Sequence, residues 1–123
     1  LGDRVAAFVT NSGGLVRCTS TSSCRFQGNS ASCSTLSAQS GWCSCSGTDK
    51  AIAPVTSGRL PAAYIAHGTN DPIVSVYYSC TLASRLTSLG YDVSVNLRAG
   101  DGHVLPSTFA TDAWPFLAAH RRL

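Results

Sequence analysis

Methionine is missing altogether from this 123-residue chain, and charged residues supply only 12% of it, where about 25% is usual for a globular protein. The chain opens on Leu1, so its start reads as a processed or internal end rather than a translation start. So little charge, with much Ser, Thr and Gly, suits a secreted protein without a polyelectrolyte partner. The formal net charge of +3 is scattered, apart from Arg121-Arg122, which read as a solvated helix end where cations suit the dipole. No basic stripe is interleaved with aromatics, which excludes nucleic acid as a partner. No apolar run approaches the roughly 18 residues of a membrane-spanning helix, and no membrane partner is expected. Internal repeats are also missing. No His lies near the clustered cysteines, and Cys43-x-Cys45 is tighter than the usual zinc knuckle, so no metal site is expected there and no cofactor is implied.

What is present begins with six cysteines: Cys18, Cys24, Cys33, Cys43, Cys45 and Cys80. An even count in a small chain points to disulfides and an oxidising, extracellular compartment, with the pairing left open. The length allows one domain. Four zones follow one another. The run Val5-Ala6-Ala7-Phe8-Val9 reads as a buried strand closed by the turn cluster Asn11-Ser12-Gly13-Gly14. Residues 16–58 form a Cys/Ser-rich insertion without helical or alternating periodicity, which disulfides would order as a stapled excursion. Pro61 to Ala66 read as a second buried strand, followed by the polar turn His67-Gly68-Thr69-Asn70-Asp71-Pro72. Val76, Leu82, Leu86 and Leu89 recur near helical spacing over 75–89, and Gly90 suits the left-handed position after a helix. Tyr91 to Leu97 alternate as a strand with one drier face. A Gly-rich loop then leads to His103. A final helix is expected over 112–120, capped by Asp112, with Pro115 in its first turn. Strand, loop, strand, helix, strand, helix is an α/β order with parallel neighbouring strands.

That order has a chemical consequence. Parallel strands share one carboxyl edge, where sites gather. Asp71 follows the strand ending near Ala66, and His103 follows the strand ending near Leu97. If those strands are neighbours, the two side chains hang from loops at the same edge. A carboxylate bonded to one imidazole nitrogen fixes the tautomer and stabilises the imidazolium formed when the other nitrogen takes a proton. Asp71 read alone is a turn residue before Pro72, and His103 read alone is an exposed loop histidine. Asp101 reads as a solvated turn residue and a weak rival for the acid. His67 reads as structural, holding the loop that presents Asp71, and His120 as a helix-end residue. Trp42, among the cysteines, either lines an aromatic pocket as a substrate-binding residue or packs against a disulfide. Tyr77 and Tyr78 read as the face and rim of the helix.

The segment from His67 to Val74, then Gly100-Asp101-Gly102-His103, then Ala113-Trp114-Pro115-Phe116 resembles the carboxyl-terminal signature of polyhydroxybutyrate depolymerase and feruloyl esterase-like hydrolases. The opening Asp3 to Val9 is similar to the family strand that follows the nucleophile helix. The resemblance implies the carboxyl-terminal part of an α/β-hydrolase parallel sheet, with Asp71 as triad acid and His103 as triad base. It implies a secreted serine esterase acting on feruloyl, acetyl or polyhydroxyalkanoate esters, possibly polymeric. The family's nucleophile elbow, G-x-S-x-G, is absent. The nucleophile and oxyanion donors are therefore expected from an amino-terminal segment or partner chain, leaving this chain inactive alone. Two rivals stand beside this reading. One is a non-catalytic, disulfide-rich binding module on a hydrolase remnant. The other is a self-sufficient hydrolase using Ser12, although Thr10 stands where the elbow wants glycine and no helical pattern follows.

Overall fold

The computed structural model describes residues 5–14, 24–43, 52, 54 and 58–120. Cys18, Cys45, Arg121 and Arg122 fall outside the described residues, as does much of the 16–58 insertion. The elements run β1 (Ala7–Asn11), α1 (Cys33–Ser37), β2 (Ala62–Gly68), α2 (Val76–Ser88), β3 (Val93–Arg98) and α3 (Phe109–Ala119). The sheet is parallel throughout, in the order β1-β2-β3, and makes a small α/β fold.

β2 is central, and all seven of its residues are buried. Strand residues alternate between faces, and the core divides accordingly. Ala63 and Ile65 pack on Ala83 and Leu86 of α2, with Phe8 and Val93 beside them. Tyr64 and Ala66 face the other way, onto Ala113 of α3, with Val9, Phe109 and Phe116. The register pairs Ala63 with Phe8 and Val93, so the same face stays aligned across the sheet. His67 continues the Ala63, Ile65 series and therefore points at α2. That alternation sets up the site.

α2 starts where the Ser75 side chain accepts from the Tyr77 amide, and ends before Gly90, whose φ is 89°. Its buried stripe is Val76, Ser79, Cys80, Ala83 and Leu86. Spacing of large apolar residues alone misses Ser79 and Cys80. The insertion has more regular structure than expected: α1 is a short helix capped by Ser32, burying Leu36. Two disulfides fasten the described part, Cys24–Cys43 within the insertion and Cys33–Cys80 from α1 to α2. Leu36, Phe26, Val76, Cys80 and Leu97 form a third core cluster around them.

α3 begins earlier than expected. Its first residue is Phe109, Asp112 lies in the first turn rather than at the cap, and Pro115 is inside the helix. A proline there leaves the carbonyl four residues back, that of Thr111, without a helical donor. Thr111 is exposed, so solvent can serve that carbonyl. Among the described residues no helix is long and apolar enough to cross a membrane. The disulfides are consistent with an extracellular protein.

Candidate acid–base site

The loops after β2 and β3 are joined by backbone bonds before any side chain is considered. The Thr69 amide donates to the Arg98 carbonyl at 3.0 Å, and the Asn70 amide to the Asp101 carbonyl at 2.9 Å. Gly68 permits this approach, because a Cβ there would collide with the Asp101 and Gly102 carbonyl oxygens. Thr69, fully buried, adds a three-way tie. Its hydroxyl donates to the Gly28 carbonyl at 2.8 Å and accepts from the Gly100 amide at 2.9 Å. The insertion and both loops are thus held by one side chain. Nothing in the spacing of the sequence marked Thr69 for this role.

Asp71 is 1% exposed. Its Oδ1 accepts from the Ile73 and Val74 amides at 2.8 and 2.9 Å, and its Oδ2 accepts from His103 Nδ1 at 2.7 Å. Burial alone would raise its pKa. The Val74 amide, His103 and the Ile73 amide outweigh burial and hold the carboxyl below its ordinary value. The His103 side chain is 42% exposed, and among the described residues no hydrogen bond engages its Nε2. A carboxylate therefore grips one ring nitrogen while the other is open to a reactant.

His67 is fully buried. Its Nε2 donates to the Val74 carbonyl at 2.7 Å and lies 3.3 Å from Asp71 Oδ2, while its Nδ1 meets the Ser79 hydroxyl. Burial pushes its pKa below the ordinary histidine value, and Arg98 adds to that, against opposing pulls from the Val74 carbonyl and Asp71. Asp101 is not at the imidazole. Its carboxylate is 45% exposed and pairs with Arg98 Nε at 3.2 Å. His120 closes the far end of α3, with Nδ1 donating to the Phe116 carbonyl and Nε2 facing Asp92 Oδ2 at 2.8 Å.

Ser12 follows β1 with a φ of 59°, a left-handed conformation uncommon outside glycine. Its hydroxyl accepts from the Asn11 side-chain amide, which also donates to the Val104 carbonyl next to His103. No hydrogen bond joins Ser12 to the imidazole. Trp42 sits edge-on to Phe26 and Tyr77, at centroid distances of 4.9 and 5.2 Å. It also borders an open cleft of about 450 Å³ with Tyr77, Ser37 and Thr81, beside Cys33, Cys43 and Cys80.

No protein-family model matches the chain. No curated protein matches it either. Among solved structures it is similar to the crystal structure of esterase PE8, with 30% identity, a TM-score of 0.45, and coverage of 50% of this chain. The chain spans 28% of that protein's length.

Proposed function

We propose that this chain is the acid–base half of a secreted serine carboxylic-ester hydrolase, with Asp71 as acid and His103 as base. One observation carries the reading: a buried carboxylate bonded at 2.7 Å to His103 Nδ1, with the ring otherwise turned to solvent. In that arrangement Nε2 takes the proton of a serine hydroxyl as the oxygen attacks the ester carbonyl. It then returns the proton to the departing alcohol, and water hydrolyses the acyl-enzyme by the same route. Ile73, Val104 and Leu105, which flank the pair in sequence, are 72%, 50% and 68% exposed. They suit an apolar rim for the acyl group. Trp42 and its cleft are the proposed contact for a bulkier, possibly polymeric, part of the substrate.

The nucleophile is proposed to come from an amino-terminal segment or partner chain. Among the described residues β1 is an edge strand. Beside it lies an apolar groove of about 710 Å³ lined by Val9, Phe109, Ala113, Trp114 and Leu117. An uncovered edge and apolar groove are what a further strand and helix would cover. The three-stranded parallel sheet is consistent with part of an α/β-hydrolase fold, and the family resemblance favours feruloyl, acetyl or polyhydroxyalkanoate esters.

The test is hydrolysis of a nitrophenyl ester by the native material, followed by fluorophosphonate labelling and mass spectrometry. A labelled serine on an accompanying segment supports the reading. Binding of a wall polymer with no labelling at all would favour a non-catalytic module. A second reading rests on the left-handed Ser12 at the same sheet edge, since strained backbone gathers at reactive groups. Hydrolysis by the isolated chain that vanishes in Ser12→Ala would move the nucleophile to Ser12.

A further inference from the structure

Most hydroxyls along α2 behave as helix hydroxyls usually do. Thr81 and Thr87 each donate back to the carbonyl four residues earlier, Tyr77 and Ala83, and Ser88 donates to Arg85. Ser79 does not. Fully buried, it faces out of its helix toward two other elements: His67 Nδ1 on β2, and the Gly13 carbonyl 2.7 Å away in the turn after β1. Gly14 makes that reach possible, because a Cβ there would run into Tyr78 of α2.

Counting protons decides what Ser79 does. A neutral imidazole carries one N–H, and a hydroxyl carries one O–H. The Val74 carbonyl can only accept, so the single ring proton of His67 sits on Nε2. Nδ1 is then a bare acceptor, and the hydroxyl proton of Ser79 is the one donor it can draw on, shared with the Gly13 carbonyl. The alternative, with Ser79 donating to Gly13 alone and accepting from Nδ1, needs protons on both ring nitrogens and hence a buried cation. Desolvation opposes that charge. The charged groups around the ring are Asp71 on the acid loop, which would favour the cation, and Arg98 on β3, which would oppose it.

We propose that Ser79 and His67 are positioning residues for the Asp71–His103 pair, an inference that rests on the function proposed for that pair. Ser79 locks His67 as the Nε2–H tautomer. That N–H serves the Val74 carbonyl and leans on Asp71 Oδ2, the oxygen His103 uses. The acid loop is thereby closed upon itself, with Val74 bound through its carbonyl by His67 and through its amide by Asp71. Oδ2 is held where Nδ1 of His103 finds it. In an acyl-transfer site a small misplacement of the base costs rate rather than affinity.

The test is long-range proton–nitrogen NMR of the histidines in the ¹⁵N-labelled chain, kept with any chain that accompanies it, at neutral pH. The expected spectrum has His67 as the Nε2–H tautomer and a downfield Nδ1–H proton on His103. In Ser79→Ala, His67 should become a mixture of tautomers and the His103 Nδ1–H signal should be lost to exchange. Ser79→Thr, which keeps the hydroxyl, should restore both, and kcat should fall by on the order of tenfold in Ser79→Ala with KM unchanged. A wild-type spectrum with His67 doubly protonated or protonated at Nδ1 overturns the proposal without any variant. So does a folded Ser79→Ala with both histidine signals unaltered. Should Ser79→Ala not fold, His67→Gln takes its place, and an unchanged His103 signal there is equally fatal. The NMR signals need no hydrolysis. Failure of the ester assay therefore removes the proposed function and leaves the positioning reading to its own spectrum.

Discussion

At the scale of single residues, the distinctive feature is a buried carboxylate engaged on both of its oxygens. Asp71 accepts two amides on one oxygen and His103 on the other. Asp71→Asn keeps the shape but presents an amide that cannot accept from Nδ1–H in the same way, so the ring is held as the wrong tautomer. The proposed esterase activity should fall by about 10⁴-fold, measured as kcat on a nitrophenyl ester. Stability should respond too. A carboxyl held below its ordinary value of 3.8 contributes stability that is present above that pH and is lost as pH falls through the depressed value. Urea titrations below pH 4 should therefore show a steeper loss for the wild type than for Asp71→Asn. Parallel curves would remove Asp71 from the account of acid unfolding.

At the scale of elements, two fastenings hold the layers. The Cys33–Cys80 bond ties α1 to α2 across a sequence separation of 47, and such a cross-link typically stabilises by about 2–4 kcal/mol, largely by restricting the unfolded chain. Cys33→Ser with Cys80→Ser should lower the unfolding free energy by that amount in a denaturant titration, with the insertion becoming the first region to exchange its amides. The second fastening is His120, which joins the end of α3 to Asp92 at the start of β3. Its pKa is raised, first by the Phe116 carbonyl and then by Asp92. A raised histidine contributes stability that is complete below its ordinary value of 6.5 and is lost as pH rises through the elevated folded value. Amide protection factors in α3, corrected for the intrinsic base catalysis of exchange, should fall over that window in the wild type and be insensitive to it in His120→Gln. A flat wild-type profile would rule the clamp out.

At the scale of the whole molecule, the flank of β1 left uncovered among the described residues sets the expectation. Trp114 is 65% exposed and borders the groove beside that strand. Native material should contain an associated amino-terminal segment, visible as additional intact mass. In its absence the chain should self-associate through this face, and Trp114→Lys should reduce that association in analytical ultracentrifugation. A monodisperse isolated chain, unaffected by the substitution, would show that the groove needs no partner.

Several features followed from local chemistry and were readable in the sequence. The α/β order, the parallel pairing and the approximate bounds of α2 follow from apolar periodicity and Gly90, while the Ser75 cap emerged only in the structure. The shared edge for Asp71 and His103 follows from parallel strands and short loops alone. Other features were set by tertiary contact. α3 runs through Pro115 because its buried Ala113 and its aromatic neighbours pack on β2, and the residue that loses its helical donor, Thr111, is exposed to solvent. Asp101, a weak rival in the sequence, is set aside by tertiary contact, because Asp71 takes His103 while Asp101 pairs with Arg98. Thr69 and Ser79 were invisible for the same reason. A hydroxyl has no periodicity of its own, and its role is set by which buried carbonyl or imidazole the folded chain brings within reach.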